Sequence, residues 1–204
     1  MALRLNGSTS GYVEIDAPAA AGSNTLTLPD GNGSSGQYLQ TDGSGGLSWQ
    51  TPDANSIAVI VDQKSQTTNG GTFTSGAWQT RDLNTELFDP DDIVSISSNQ
   101  FTLGSGTYYI EWVCPTYRVN SHLSRLYDVT NTAVVGYGQN AYSNNTYIGA
   151  SDSTGAAVVT ITTNTTYRIE HQCSQTVSNS GFGVNNNVTS AGEFFTRVVI
   201  TKVA

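Results

Sequence analysis

The chain has 204 residues, of which 37 % are apolar and only 12 % charged, and its net charge is −8. Charged residues are about half as frequent as the ~25 % of an ordinary globular protein. Ten Tyr and six Phe nevertheless supply the apolar mass of a core, so the chain does not belong with the disordered class. The eight Lys and Arg are scattered singly, which argues against nucleic acid or an anionic membrane surface as a partner. No apolar run is long enough to span a bilayer, so membrane insertion is not expected. The opening MALRLNGSTSG has no apolar signal-peptide core, and synthesis and folding in a cytoplasm are expected.

Residues 1–50 offer four short strand candidates: YVEID (12–16), NTLTLP (24–29), GQYLQT (36–41) and GGLSWQ (45–50). Glycine clusters separate them. Their apolar mass is too small to bury a core alone, which favours a shared core among copies of the chain, with three around one axis as the expected arrangement. Within this segment GNGSSG (31–36) fits G-x-G-x-x-G, a phosphate-cradling pattern. Such a loop needs a helix N-terminus behind it to present aligned N–H groups. QYLQTDGSGG follows instead, alternating and then turning again, so the glycines read as a turn between strands and nucleotide binding is not expected.

TPDANS (51–56) reads as a linker. Residues 57–204 then read as one β domain. Strand-like runs fall at 57–63, 77–84, 93–97, 100–104, 106–119, 122–129, 132–139, 156–163, 166–175 and 193–203, with DSTG (152–155) as a turn. No stretch keeps a helical period, and regularly spaced strands suggest a sandwich or jelly roll. The alternation predicts that Tyr108, Ile110, Trp112 and Cys114 face the core. It predicts the same for Tyr167, Ile169, His171 and Cys173, with Arg168, Glu170 and Gln172 opposite. Cys114 and Cys173 form no C-x-x-C, so zinc is not indicated and free buried thiols are expected, with a single disulfide as the alternative.

Candidate chemistry is thin. His171 reads as a core histidine with a hydrogen-bond partner, and His122 as an exposed residue near a turn. No G-x-S-x-G elbow marks a serine nucleophile. The densest acidic cluster is FDPDD, where Asp89, Asp91 and Asp92 could offer hard oxygen ligands to Ca²⁺ although they lack EF-hand spacing; a solvated turn is the plainer reading. No other cofactor is indicated. YGQNAYSNNTY (137–147) is polar and tyrosine-rich, and reads as one loop. Tyr137, Tyr142, Asn144, Asn145 and Tyr147 are its candidate receptor-binding residues, because exposed Tyr beside Asn suits sugars and proteins.

Several longer phrases carry a resemblance: IAVIVDQKSQTTNGGTFTSGAWQTRDLNTE, ISSNQFTLGSGTYYIEW, SRLYDVT, YRIEHQCS and FTRVVITK. Through them residues 57–204 resemble the complement-1q/tumour-necrosis-factor-like jelly-roll head at the tips of bacteriophage tail fibres, notably of cyanobacterial phages. Residues 3–50 resemble a glycine-rich repeat of marine cyanophage tail proteins. The resemblance implies an all-β, ten-strand jelly-roll head preceded by a short β segment that intertwines in a homotrimer. It implies a virion location, attachment to another virion protein through residues 1–50, and adhesion of the head to host surface polysaccharide or protein rather than catalysis. Some heads of this superfamily bind Ca²⁺ near the three-fold axis. Only about fifty residues precede the head, so a short fibre, a tip subunit and a capsid or neck decoration without a receptor all fit. A polysaccharide depolymerase, using carboxylates such as Asp91 and Asp92, is the enzymatic rival.

Overall fold

In a computed structural model the described residues are all but 1, 2, 17, 21, 52–54, 148, 189 and 204. The chain divides into two compact units, Met1–Asp53 and Ala54–Ala204. Pro52, Asp53 and Ala54 of the expected linker lie outside the described residues.

The first unit holds two hairpins. β1 (Leu3–Asn6) pairs with β2 (Tyr12–Ile15), and β3 (Tyr38–Thr41) with β4 (Leu47–Gln50). The run TLTLP, expected as a strand, makes only an isolated bridge from Thr27 to Gly46, whereas Leu3–Asn6 is a strand the alternation did not mark. GNGSSG is a turn as expected: Gln37 N–H donates to Ser34 O and β3 follows at once. Its Gly33 lies beneath Trp49, whose ring a Cβ would meet at 2.6 Å, and Trp49 Nε1 donates to Gly31 O. The first hairpin is two-faced. Leu3 stands opposite Ile15 and Leu5 opposite Val13, while Arg4 and Glu14 pair on the reverse side in an ion pair. Residues directly opposite share a face, so one side of this hairpin is wholly apolar. Those four side chains are 56–66 % exposed.

The second unit is a two-layer antiparallel sandwich. Its strands are β5 (Ser56–Lys64), β6 (Gln79–Thr80), β7 (Thr85–Phe88), β8 (Val94–Ser97), β9 (Gln100–Leu103), β10 (Gly106–Tyr117), β11 (Asn120–Asp128), β12 (Ala133–Tyr137), β13 (Ala141–Ser143), β14 (Ala150–Ile161), β15 (Thr165–Cys173) and β16 (Glu193–Lys202). One sheet runs β14-β10-β16-β5-β7 and the other β12-β11-β15-β9-β8, with β13 added to β11 and β6 to β15. Twelve strands therefore make a five-stranded and a seven-stranded layer, two more than the ten expected because the short β6 and β13 join the second, and the chain crosses between the layers repeatedly. This is the jelly roll that the sequence led us to expect.

The core lies between the layers. Tyr108, Ile110, Trp112 and Cys114 from β10 meet Leu126 of β11, Tyr167 and Ile169 of β15, and Phe101 and Leu103 of β9. The alternation of both quoted strands is as expected, except that Glu170 is buried too, beneath two arginines on the outer face. Ser98 and Asn99 both take φ near +60°, the type I′ geometry that a two-residue hairpin loop between β8 and β9 requires.

DSTG does not turn. It is the middle of β14, which pairs with β10 along all twelve residues of both strands. Gly155 stands opposite Trp112, and a Cβ there would lie 2.1 Å from the indole. The glycine thus clears space for a ring rather than bending the chain. Trp112 Nε1 then donates to Ser124 Oγ of the opposite sheet at 2.8 Å. Gly155→Ala is expected to displace the indole and cost about 1–3 kcal/mol, the usual penalty of overpacking. Chemical denaturation should show a lower midpoint with an unchanged slope.

Candidate ligand-binding face

Two places in the second unit gather polar side chains: a network inside the sandwich and a patch on its outer surface. The internal network corrects the expectation for His122. That residue is on β11, buried, because position 122 falls on the inward side of the strand's alternation. Its Nδ1 pairs with His171 Nε2 at 3.0 Å, and its Nε2 meets Ser151 Oγ at 2.8 Å and Thr116 Oγ1 at 3.0 Å. His171 packs on Phe73, which stacks on Phe182, and the Arg81 guanidinium covers Phe182. Arg81 is fully buried, held by Thr196 Oγ1 and Phe182 O. His171 thus has the expected partner on one nitrogen. Its Nδ1 and Arg81 Nη1 are the buried side-chain polar atoms without a partner among the described residues.

Burial holds both imidazoles below their ordinary range, and the nearby Arg81 charge adds to it; His122 is lowered to about 4, and His171 well below its ordinary value. Cys114 and Cys173 are free and buried, and desolvation lifts each thiol to about 11, so both are inert packing groups. The histidines give a signed prediction. The unfolded chain takes up protons near pH 6.5 and the folded chain does not, so acid favours unfolding. Stability should fall as pH drops from 7 towards 4, by at most about 1.4 kcal/mol per pH unit for each histidine. Denaturation midpoints measured across that range check this, and a His122→Gln/His171→Gln variant should flatten the slope between pH 7 and 5.

The second place is the outer face of the sheet containing β11 and β15. Strand alternation turns Ser121, Leu123, Arg125 and Tyr127 outward, against Gln172, Glu170 and Arg168 of β15. Arg125 Nε donates to Glu170 Oε2 at 2.6 Å, and Arg168 Nε to Oε1 at 2.8 Å; the second nitrogen of each arginine closes a further contact at 2.5 Å. Both carboxylate oxygens are therefore engaged. Trp78 lies over the Arg125 guanidinium at 4.0 Å and Tyr127 over that of Arg168 at 4.8 Å. Tyr137, opposite Arg125 on β12, approaches Trp78 with ring centroids 6.1 Å apart. Two residues along β11 an open groove of about 620 Å³ begins, floored by Leu123 and Gln172 and flanked by Tyr142 and Asn140.

The sequence-predicted residues divide between regions. The stretch 137–147 is not one loop: it holds the end of β12 and all of β13. Tyr137 and Tyr142 stand on the outer face, 57 % and 58 % exposed. Asn144, Asn145 and Tyr147 belong to the bend after β13. There Asn144 Oδ1 accepts the N–H groups of Thr146 and Tyr147, and Arg118 donates to Asn145 O. Tyr147 is 74 % exposed. Asp89 spends both carboxylate oxygens on the backbone N–H groups of Ile93 and Val94. Among the described residues no set of three His, Cys, Asp or Glu side chains is placed to hold a metal, so Asp89, Asp91 and Asp92 do not converge. Sequence reading missed Trp78, Arg125 and Glu170 as site residues. Only the alternation of 122–129 and 166–175 held a signal, since it sets Arg125, Arg168 and Glu170 on outward positions.

No protein-family model matches the chain, and no curated protein matches its sequence. Among solved structures it is similar to the globular domain of zebrafish complement 1qA protein, at 14 % identity and a TM-score of 0.48, over 74 % of this chain and 98 % of that one. It is similar to murine APRIL at 8 % identity and a TM-score of 0.49, over 74 % and 100 % of the two chains. It is also similar to the PRD1 vertex protein P5 at 10 % identity and a TM-score of 0.47, over 73 % and 97 %. No helix among the described residues is long and apolar enough to cross a membrane.

Proposed function

We propose that the chain is a homotrimeric virion fibre protein, whose N-terminal unit assembles it and whose jelly-roll head adheres to the host surface. The observation that carries the reading is the first hairpin. Leu3, Leu5, Val13 and Ile15 form a paired, one-sided apolar face that the described residues of their own unit leave more than half exposed. Exposed apolar faces of this kind mark association surfaces. Copies of the hairpin around an axis bury that face and leave the Arg4–Glu14 pair in water.

The head has a second apolar surface suited to self-association. On the outer side of its first sheet Val158, Tyr109, Thr201 and Ile57 stand in one cross-strand row. Val158, Tyr109 and Ile57 are all exposed. The β11/β15 face, with its tyrosines and groove, is then the surface turned to a receptor. A virion role rests on the resemblance of residues 57–204 and 3–50 to phage fibre sequences, and binding rather than turnover is the chemistry a stacking, hydrogen-bonding face supports. Weak sites repeated three times gain strength by avidity.

Light scattering after size exclusion tests the assembly. The full chain is expected at three times its 21.6 kDa mass, and a single 21.6 kDa species overturns the reading. Replacing Leu3, Leu5, Val13 and Ile15 together with Ser should raise the concentration at which the trimer dissociates at least tenfold. Adsorption of the labelled trimer to host cells tests the adhesive role. Binding to purified shells with none to cells would point instead to a decoration protein, and release of reducing ends from host polysaccharide to a depolymerase.

A further inference from the structure

We infer that the face built by Arg125, Arg168, Trp78 and Tyr137 binds an acidic sugar, a glycan residue bearing a carboxylate. The inference rests on the adhesive reading above and names the class of its ligand. It begins with charge. Of the chain's eight cations, Arg4 has Glu14 as its own partner, and Lys64 is held between Asp62 and Asp82. Arg81 is buried, Arg118 is spent on Asn145 O, and Arg197 and Lys202 stand on β16 of the other sheet with no ion pair among the described residues. Arg125 and Arg168 alone share a single carboxylate, Glu170, among the ion pairs of the described residues. The triad therefore keeps one positive charge on a chain whose net charge is −8.

That charge reaches solvent through Arg168, whose side chain is 28 % exposed, more than through Arg125 at 14 %. Nε and Nη2 of each arginine face Glu170, and Nη1 of each makes no hydrogen bond among the described residues. Glu170 and the covering rings fix both guanidinium planes before a ligand arrives, which lowers the entropic cost of binding. A guanidinium offers planar N–H donors that fit a carboxylate better than a neutral hydroxyl, and such charge-assisted bonds are the stronger ones.

The neighbours argue for a sugar as the carrier of the carboxylate. Trp78 and Tyr137 form a tilted aromatic pair beside the charge, with Tyr137 57 % exposed. Aromatic faces with a polar edge suit pyranose rings. The groove past Leu123 and Gln172 continues the surface along the strand direction, with Tyr142 and Asn140 at its side, and gives room for further residues of a chain. An elongated glycan can place its carboxylate on the arginines, a ring against the aromatic pair and its next residues in the groove.

The test uses the full-length protein and two probes, a trigalacturonate and its carboxyl-reduced galactose counterpart, titrated by calorimetry with parallel cell adsorption. Trigalacturonate should bind at least tenfold more tightly than the neutral trisaccharide, and added salt should weaken it. Arg168→Gln leaves Arg125 on Glu170 and should lower the uronate affinity about tenfold while leaving the neutral sugar unaffected. Tyr137→Ala changes an exposed ring, so folding is not at stake, and should weaken both probes. Equal affinity for the two probes, or full uronate affinity in Arg168→Gln, overturns the inference. So does an absence of uronate binding by a trimer that still adsorbs to cells, and in that case the adhesive reading survives it. Failure to adsorb to cells at all counts against the adhesive reading itself.

Discussion

The head depends on one contact: Trp112 set between two sheets. Its ring needs the vacancy at Gly155 on the neighbouring strand, and its N–H needs Ser124 on the facing sheet. A buried indole N–H without an acceptor would cost a few kcal/mol, so the hydroxyl fixes the separation and register of the layers as well as satisfying a donor. β10 and β14 pair along their full length around this point. The central strands are then placed, and Tyr108, Ile110 and Cys114 fall inward as a consequence.

Once inward positions are committed to that core, each strand's alternate residues are free for other work. The two sheets use this freedom differently. The first exposes a row of Val158, Tyr109 and Ile57 around Thr201, a surface suited to contact with like surfaces. The second exposes guanidinium groups, a buried carboxylate and aromatic rings, a surface suited to polar ligands. Two outer faces can thus carry different surface chemistry without disturbing the interior. The N-terminal hairpin repeats the same economy at smaller scale, with one apolar side and one ion-paired side.

The inward polar network has another character. His122, His171 and Arg81 are large polar groups in a place where apolar side chains would pack more cheaply. Desolvation keeps the imidazoles neutral, and their bonds to Ser151 and Thr116 join strands β10, β11, β14 and β15. Such networks are stringent about geometry, since each member left unpartnered is costly.

The sequence by itself determined whatever depends on period two and on local turn chemistry. It settled that the chain is all β, that GNGSSG turns into a strand and not into a helix, and which sides of 106–114 and 166–173 face inward. It placed Arg168 and Glu170 on outward positions, but not Arg125, because it read His122 on the same strand as exposed. Tertiary structure decided the rest, because a strand's neighbours are not encoded by spacing along the chain. Arg125 and Glu170 are 45 residues apart and meet only because β11 pairs with β15. Trp78 reaches them from the segment beside β6. The same cause explains the misreadings. DSTG has turn composition, yet Gly155 answers to a ring 43 residues away, and His122 follows a turn-like Asn-Ser yet lies between sheets. Local composition reports what a backbone tolerates, and long-range pairing decides which tolerance is used.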